Sequence, residues 1–501
     1  MKQKRTILSY VIYLISYSIG CCSFAQNTPY YIFSPTLQTA YSEVFKLKIN
    51  SARQLIAQEK SQTAFSIYVE NYADIVTLLI SDEKRMYEQL SDNQDKRLDV
   101  LEDMPANSPY YRFLQAEVRL HWAFVKLKFG KEIAASWDII KAYRLLDENA
   151  KKYPDFLPTY KSLGLLHVLI GSTPQNYQWV AKLLGLRGNI QQGLREIRMV
   201  IQKDKIFGNE AQLLELLIYA HILSFEDREN AQLLQYLQAH EDNLLLNFFG
   251  VTISMKDGRG EQALALLSQQ PRGSHYLSLP IMDYLRGENL LQKGDYGTAR
   301  TYLNKFLMYY RGQNFVKDTY LMLFLSHWLA GDETAGKPYL YKIDKVGIAY
   351  VESDKAAQKI AESFRKGRVS VQQKILMKAR LAFDGGYYDA ALALLKPYQE
   401  QQFALPYDKA EFQYRLGRIV QRQNQPIEAK KHFERAISLS QAEGFYFGAT
   451  SALQLGYIYQ SLGKNQEAIA YFRQTLDFPK HEYKNSVDNK ARAALTQMGV
   501  E

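Results

Sequence analysis

The residues able to do chemistry are few and poorly placed for it. The chain has eight histidines, at His121, His167, His221, His240, His275, His327, His432 and His481. No two are four apart and no H-E-x-x-H occurs, so no helix presents paired imidazoles to a metal. His167 lies in an apolar stretch and is expected to be a packed core residue. Ser81-Asp82-Glu83-Lys84 has the S-x-x-K spacing in which a lysine activates a serine, but the companion motifs of that chemistry are missing. Gly258-Arg259-Gly260 has neither the third glycine nor the preceding strand of a dinucleotide loop, and is expected to be a turn between helices. Asp92 and Asp95 lack the glycine and ligand spacing of a calcium loop. Both cysteines, Cys21 and Cys22, fall in the first 25 residues. A disulfide framework, a zinc–thiolate site or a cysteine nucleophile is therefore not expected beyond them. These residues predict no catalytic site, no cofactor and no metal.

The elements that would position side chains are easier to read. Two C-terminal segments, FQYRLGRIVQRQNQPIEAKKHFERAI and LQLGYIYQSLGKNQEAIAYFRQTL, align without a gap. Leu416-Gly417 matches Leu455-Gly456, Val420 matches Tyr459, Ala429 matches Ala468 and Phe433 matches Phe472, a period of 39 residues. Small residues at Gly417, Gly456, Ala429 and Ala468 suit a close approach of two helices within one hairpin. Tyr459, Phe433 and Phe472 are expected to fill the space to the next hairpin. Gly463-Lys464-Asn465 supplies the turn. Weaker copies run upstream. Gly386-Tyr387-Tyr388 leads to Leu395, Gly294-Asp295-Tyr296 leads to Ala299 and Leu303 with Gly287 before it, and Asp257-Gly258 leads to Ala263 and Leu267. Lys378-Ala379 and Gly336 depart from the pattern.

These spacings resemble the tetratricopeptide repeat: Leu-Gly, an aromatic three later, a small residue nine further on and an aromatic four beyond. The resemblance implies an all-α fold, an α-solenoid of stacked antiparallel helix hairpins. It also implies that the first helix of each hairpin lines a concave groove. Alignment of the C-terminal copies then places Arg380, Tyr414, Arg418, Gln421, Arg422, Tyr457 and Gln460 on that face. Guanidinium, amide and phenol groups there would meet carboxylates and peptide groups of a partner. Arg418 and Tyr457 stand where the members that clamp chaperone C-termini have asparagine, so that partner class is not expected.

The N-terminal half is helical but less regular. Ser108-Pro109 is a helix start, an N-cap followed by proline in the first turn. LLELLIYAHIL from Leu213 reads as a central buried helix. Ser91 to Ala106, polar and acidic, reads as a loop, and Glu226-Asp227-Arg228-Glu229 as a solvated helix end. A central stretch combines Phe156-Leu157-Pro158, Lys161-Ser162-Leu163-Gly164, Ile170-Gly171, Pro174, Trp179, Leu183-Leu184-Gly185-Leu186-Arg187-Gly188 and Gly193-Leu194. It is similar to the core of a tetratricopeptide-like family that includes the eukaryotic inclusion-body clearance proteins, which implies a helical scaffold. Gly185, Gly188 and Gly193 would equally serve close helix packing and a turn.

The N-terminus and the overall charge bear on compartment and partner. Lys2, Lys4 and Arg5 precede the uncharged run Thr6 to Gly20, and Ser23-Phe24-Ala25 follows. That is the pattern of an export signal cleaved before Gln26, too short for a bilayer span. Gly20-Cys21 offers a competing lipidation site, weakened by Ser18 where a bulky aliphatic residue is expected. The expected segments are a signal at 1–25, irregular helical repeats at 26–250 and regular repeats at 251–501. The composition, 47% apolar and 23% charged, is that of a folded chain. The net charge of +10 falls to about +7 without the three basic leader residues, too diffuse for nucleic acid. The reading is an exported, periplasmic or envelope-associated scaffold that binds a protein or peptide partner without catalysis. The alternative is a SusD-type glycan-binding lipoprotein held at the outer membrane through Cys21, to which the 37 tyrosines would lend stacking surface.

Overall fold

The computed structural model describes residues 29–173 and 184–500. The expected export signal, and Pro174, Trp179 and Leu183 of the central stretch, lie outside the described residues. Among the described residues the secondary structure is helical throughout, without a strand. No helix there is long and apolar enough to cross a membrane. The fold class is all-α, built of antiparallel helix hairpins.

The chain divides into two compact units. One contains the residues up to Glu229 together with Gln238–Leu246 and Pro271–Ser278. Its hairpins include Pro109–Lys128 with Glu132–Lys152 and Pro158–Gly171 with Ile190–Lys203. The other contains Asn230–Leu237, Asn247–Gln270 and Leu279–Glu501. There the pairs are Ile281–Lys293 with Tyr296–Tyr309, Val316–Ala330 with Glu333–Lys342, Gln373–Asp384 with Tyr388–Leu395, Pro406–Arg422 with Pro426–Ser440, and Tyr446–Ser461 with Asn465–Asp477.

The repeat glycines act as expected. A Cβ on Gly417 would lie 2.7 Å from the Phe433 ring, and one on Gly456 would lie 2.4 Å from that of Phe472. Each glycine thus accepts the aromatic of its own hairpin, and both rings belong to one core that runs on into the next hairpin. Tyr459 likewise stacks on Tyr471 within its hairpin, at 5.3 Å. The geometry follows from helix spacing: without a side chain at the crossing, a ring fits between the axes. Phe433, Phe472, Ala429 and Ala468 are fully buried, and each such phenylalanine stabilises the fold by roughly 2–3 kcal/mol. Gly287 repeats the device under Leu303, whose Cγ would be 2.6 Å from an added Cβ. The turns at Gly258, Gly294, Gly386 and Gly463 all hold positive φ, where glycine is unstrained.

In the first unit, Gly164 and Gly193 face each other across the hairpin, with an added Cβ on Gly193 only 2.3 Å from the Gly164 carbonyl. Close packing therefore explains these two glycines. Ser108 caps its helix by accepting the Tyr110 N–H at 3.2 Å, with Pro109 in the first turn. Gly208–His221 buries Ala211, Leu213, Leu216 and Ile218, while His221 at its end is exposed. Two expectations fail here. Asn93–Glu102, expected as loop, is a helix that buries Gln94, Arg97, Leu98 and Leu101. Its inner stripe has helical spacing, but half of it is polar, and Arg97 is compensated by Asp74 at 2.6 Å and Asn71 at 3.2 Å. The run at 226–229 does open a helix, yet Glu229 is buried and its carboxylate accepts the Glu226 N–H at 3.1 Å. The polar group is spent on the helix end, not on solvent.

Candidate functional site

All seven residues of the sequence-predicted face lie on first helices of the second unit: Arg380 on Gln373–Asp384, four on Pro406–Arg422, and Tyr457 and Gln460 on Tyr446–Ser461. Only some of them meet. Arg418 Nη1 donates to the Tyr414 hydroxyl at 3.1 Å. Its guanidinium lies 5.1 Å from the Phe383 ring centroid of the preceding first helix and 6.0 Å from that of Tyr414. Two aromatic faces therefore hold this cation in place. Its Nε is buried without a hydrogen-bond partner, and so is the Gln421 Oε1 one turn further on. Burial would push the Tyr414 phenol up, but Arg418 and Arg415 outweigh it and hold its pKa below the usual tyrosine value.

The other predicted residues are placed differently. Arg380 faces Asp384 on its own helix at 3.6 Å. Arg422 is exposed, bonded through Nε to the Tyr388 hydroxyl at 2.9 Å and through Nη2 to the Asp257 carbonyl at 3.3 Å. It ties helix ends together. Tyr457 packs edge-on to Phe472 at 5.3 Å, and Gln460 is half-buried. The sequence reading missed Arg415, Glu411, Tyr446 and Phe383. Arg415 and Glu411 form a buried pair at 2.9 Å. Burial raises the Tyr446 phenol, with Arg415, Glu411, Arg380 and Tyr414 as its charged or polar neighbours. The i, i+4 spacing of Glu411 and Arg415 was legible, whereas contacts between successive first helices were not.

Further along the same unit the face turns acidic. Tyr284 donates to Asp318 Oδ2 of the next first helix at 2.6 Å. Burial, then Asp318 and Asp384, push the Glu288 carboxyl up to about 8. Burial likewise moves Asp318 up to about 6.

A second polar cluster, not anticipated from sequence, is buried in the first unit. Lys161 is 1% exposed and bonds Glu117 at 2.7 Å and Glu210 at 2.9 Å. Ser162 also donates to Glu117, and Tyr41 donates to Glu210 at 2.5 Å. Burial opposes the Lys161 charge, but the two carboxylates outweigh it and raise its pKa. Tyr68, Tyr72 and His121 stack alongside, with centroids 5.3–6.4 Å apart. Burial lowers the His121 pKa, so this ring is neutral at pH 7. The two carboxylates share the one ammonium, and the Ser162 and Tyr41 hydroxyls complete their hydrogen bonding.

One register links the two clusters. Lys161, Tyr284 and Tyr414 each stand three residues before a repeat glycine, Gly164, Gly287 and Gly417. Each bonds the following first helix, at Glu210, Asp318 and Thr450. At that position a polar group stitches neighbouring hairpins. Among the described residues no group of three or more histidine, cysteine, aspartate or glutamate side chains could hold a metal ion.

Comparison with known proteins agrees with this geometry where it is most regular. Residues 408–480 match the family model described as tetratricopeptide repeat. The repeats of this segment are tetratricopeptide repeats, and the other described residues form helical hairpins. No curated protein matches the chain. Among solved structures, an IFIT1 monomeric mutant with Gppp-AAAA is similar at 14% identity and TM-score 0.30, over 86% of this chain and 94% of that one. Yeast Tom70 is similar at 12% identity and TM-score 0.26, over 93% and 89%. The TPR domain of P58(IPK) follows at 13% identity and TM-score 0.21, over 87% and 99%. These superpositions are too loose to carry over any ligand.

Proposed function

We propose that the chain is an exported scaffold that binds a protein or peptide partner in the cell envelope, without catalysis. Its first-helix face around Arg418 would receive acidic side chains of that partner. The observation that carries this reading is Arg418 itself. It is a guanidinium set against two aromatic rings, with no carboxylate of the described residues bonded to it. An arginine restrained in this way loses little entropy on meeting a carboxylate and offers further donors to it. Export is supported by the basic, apolar and small-residue succession ending at Ala25.

The test is affinity purification of the tagged protein from envelope extracts, followed by mass spectrometry. Recovery of one stoichiometric protein, lost with Arg418→Ala, is the expected result. Retention by oligosaccharides alone would overturn the reading in favour of a glycan-binding lipoprotein. Mass analysis of the N-terminus decides between cleavage before Gln26 and lipidation at Cys21.

A further inference from the structure

The second unit holds a cleft away from that face. Its volume is about 440 Å3, and its walls include Leu307, Tyr310, Arg311, Val316, Tyr320 and Ile348. The size falls in the range of small-ligand sites. Two loops meet at its edge, where the Ile348 N–H donates to the Gln313 carbonyl at 3.3 Å. Gly347 permits that approach: it has φ +58°, and a Cβ there would sit 2.9 Å from the same carbonyl. The rings are held from outside the cleft. Tyr310 stacks on Phe306 at 4.4 Å, and the Lys342 ammonium lies 5.1 Å from the Tyr320 centroid.

Arg311 is the only charged side chain of the lining. It is exposed, and its Nη1 donates to the carbonyls of Met308 at 2.8 Å and Tyr310 at 3.2 Å. Those neutral bonds orient the guanidinium without neutralising it. Among the described residues no carboxylate pairs with it. Leu307, Val316, Val346, Ile348 and the two tyrosines put aliphatic and aromatic surface beside this one positive charge, in a cleft open to solvent whose walls also include Gln313.

We propose that this cleft binds a carboxylate carried on an apolar body, either a small free acid or the C-terminal residue of a peptide. Arg311 supplies the charge-assisted hydrogen bonds, and Leu307, Val316, Ile348 and the two tyrosine rings flank the body on one side. The proposal does not depend on the reading of the Arg418 face.

The test uses the full chain, with binding followed by calorimetry. The probes are N-acetylphenylalanine and an acetylated tetrapeptide ending in phenylalanine, each as the free acid and as the amide. A free acid is expected to bind at least about tenfold tighter than its amide. Arg311→Gln removes that preference, and Arg418→Ala leaves it intact. Binding of the single amino acid assigns the site to small acids, and binding of the tetrapeptide alone assigns it to peptide termini. Should Arg311→Gln fail to fold, Ile348→Trp, which fills the cleft, must abolish binding while leaving the helical circular-dichroism signal unchanged. Equal binding of acid and amide, no binding of either acid at millimolar concentration, or an acid preference that survives Arg311→Gln would overturn the proposal.

Discussion

Lys161 and Arg418 are both cations on first helices, each within one turn of a repeat glycine, and they have opposite fates. Lys161 is sealed in the first unit between two carboxylates and beside a tyrosine stack. Arg418 in the second unit rests on two rings, and no carboxylate among the described residues bonds it. One position is devoted to holding hairpins together. The other keeps its charge available. What separates them is whether the neighbouring first helix brings an acid or an aromatic ring to the same level.

That contrast can be broken by removing each charge in turn. Lys161→Met leaves Glu117 buried without its counter-charge and should cost about 3–5 kcal/mol, read as a lower midpoint in denaturant unfolding. If it cost no more than a surface substitution, the cluster would not be structural. Within the second unit, Gly456→Val forces a side chain against Phe472 and should cost roughly 1–3 kcal/mol. Gly463→Ala meets open space at φ +70° and should cost only about 1 kcal/mol. Equal thermal shifts for the two would contradict the close-packing account.

Glu288 gives a pH-dependent version. Its folded-state pKa of about 8 lies above the ordinary 4.5, so the folded chain retains a proton that the unfolded chain loses between those values. Stability therefore falls as pH rises through that window. Glu288→Gln should remove at least about 1–2 kcal/mol of that decline. Parallel melting curves at pH 5 and pH 8 for both proteins check it. The smallest stability effect belongs to Arg418→Ala, below about 1 kcal/mol, while partner binding drops about tenfold or more. A large stability loss with intact binding would place Arg418 with Lys161.

The hairpins were readable because each is a local object. Gly417, Ala429 and Phe433, like Gly456, Ala468 and Phe472, meet across a single turn, and sequence spacing alone brings them together. Asn93–Glu102 escaped notice because its inner stripe includes Gln94 and Arg97, buried only because Asp74 and Asn71 on another helix receive Arg97. The candidate face was half legible. The resemblance to the tetratricopeptide pattern placed all seven residues on first helices, yet it did not separate Arg418, without a carboxylate among the described residues, from Arg422, tied to Tyr388 and the Asp257 carbonyl.

The sequence by itself determined the helical hairpins, their turns and the repeat segment, since these depend on the periodicity of apolar residues and on glycines a few residues away. Only the tertiary structure decided which polar residues are buried and paired, which carboxyls titrate abnormally and which cations remain available. Those outcomes depend on groups from hairpins tens of residues apart, and the strength of a charge interaction is set by burial and by distances that no local spacing encodes.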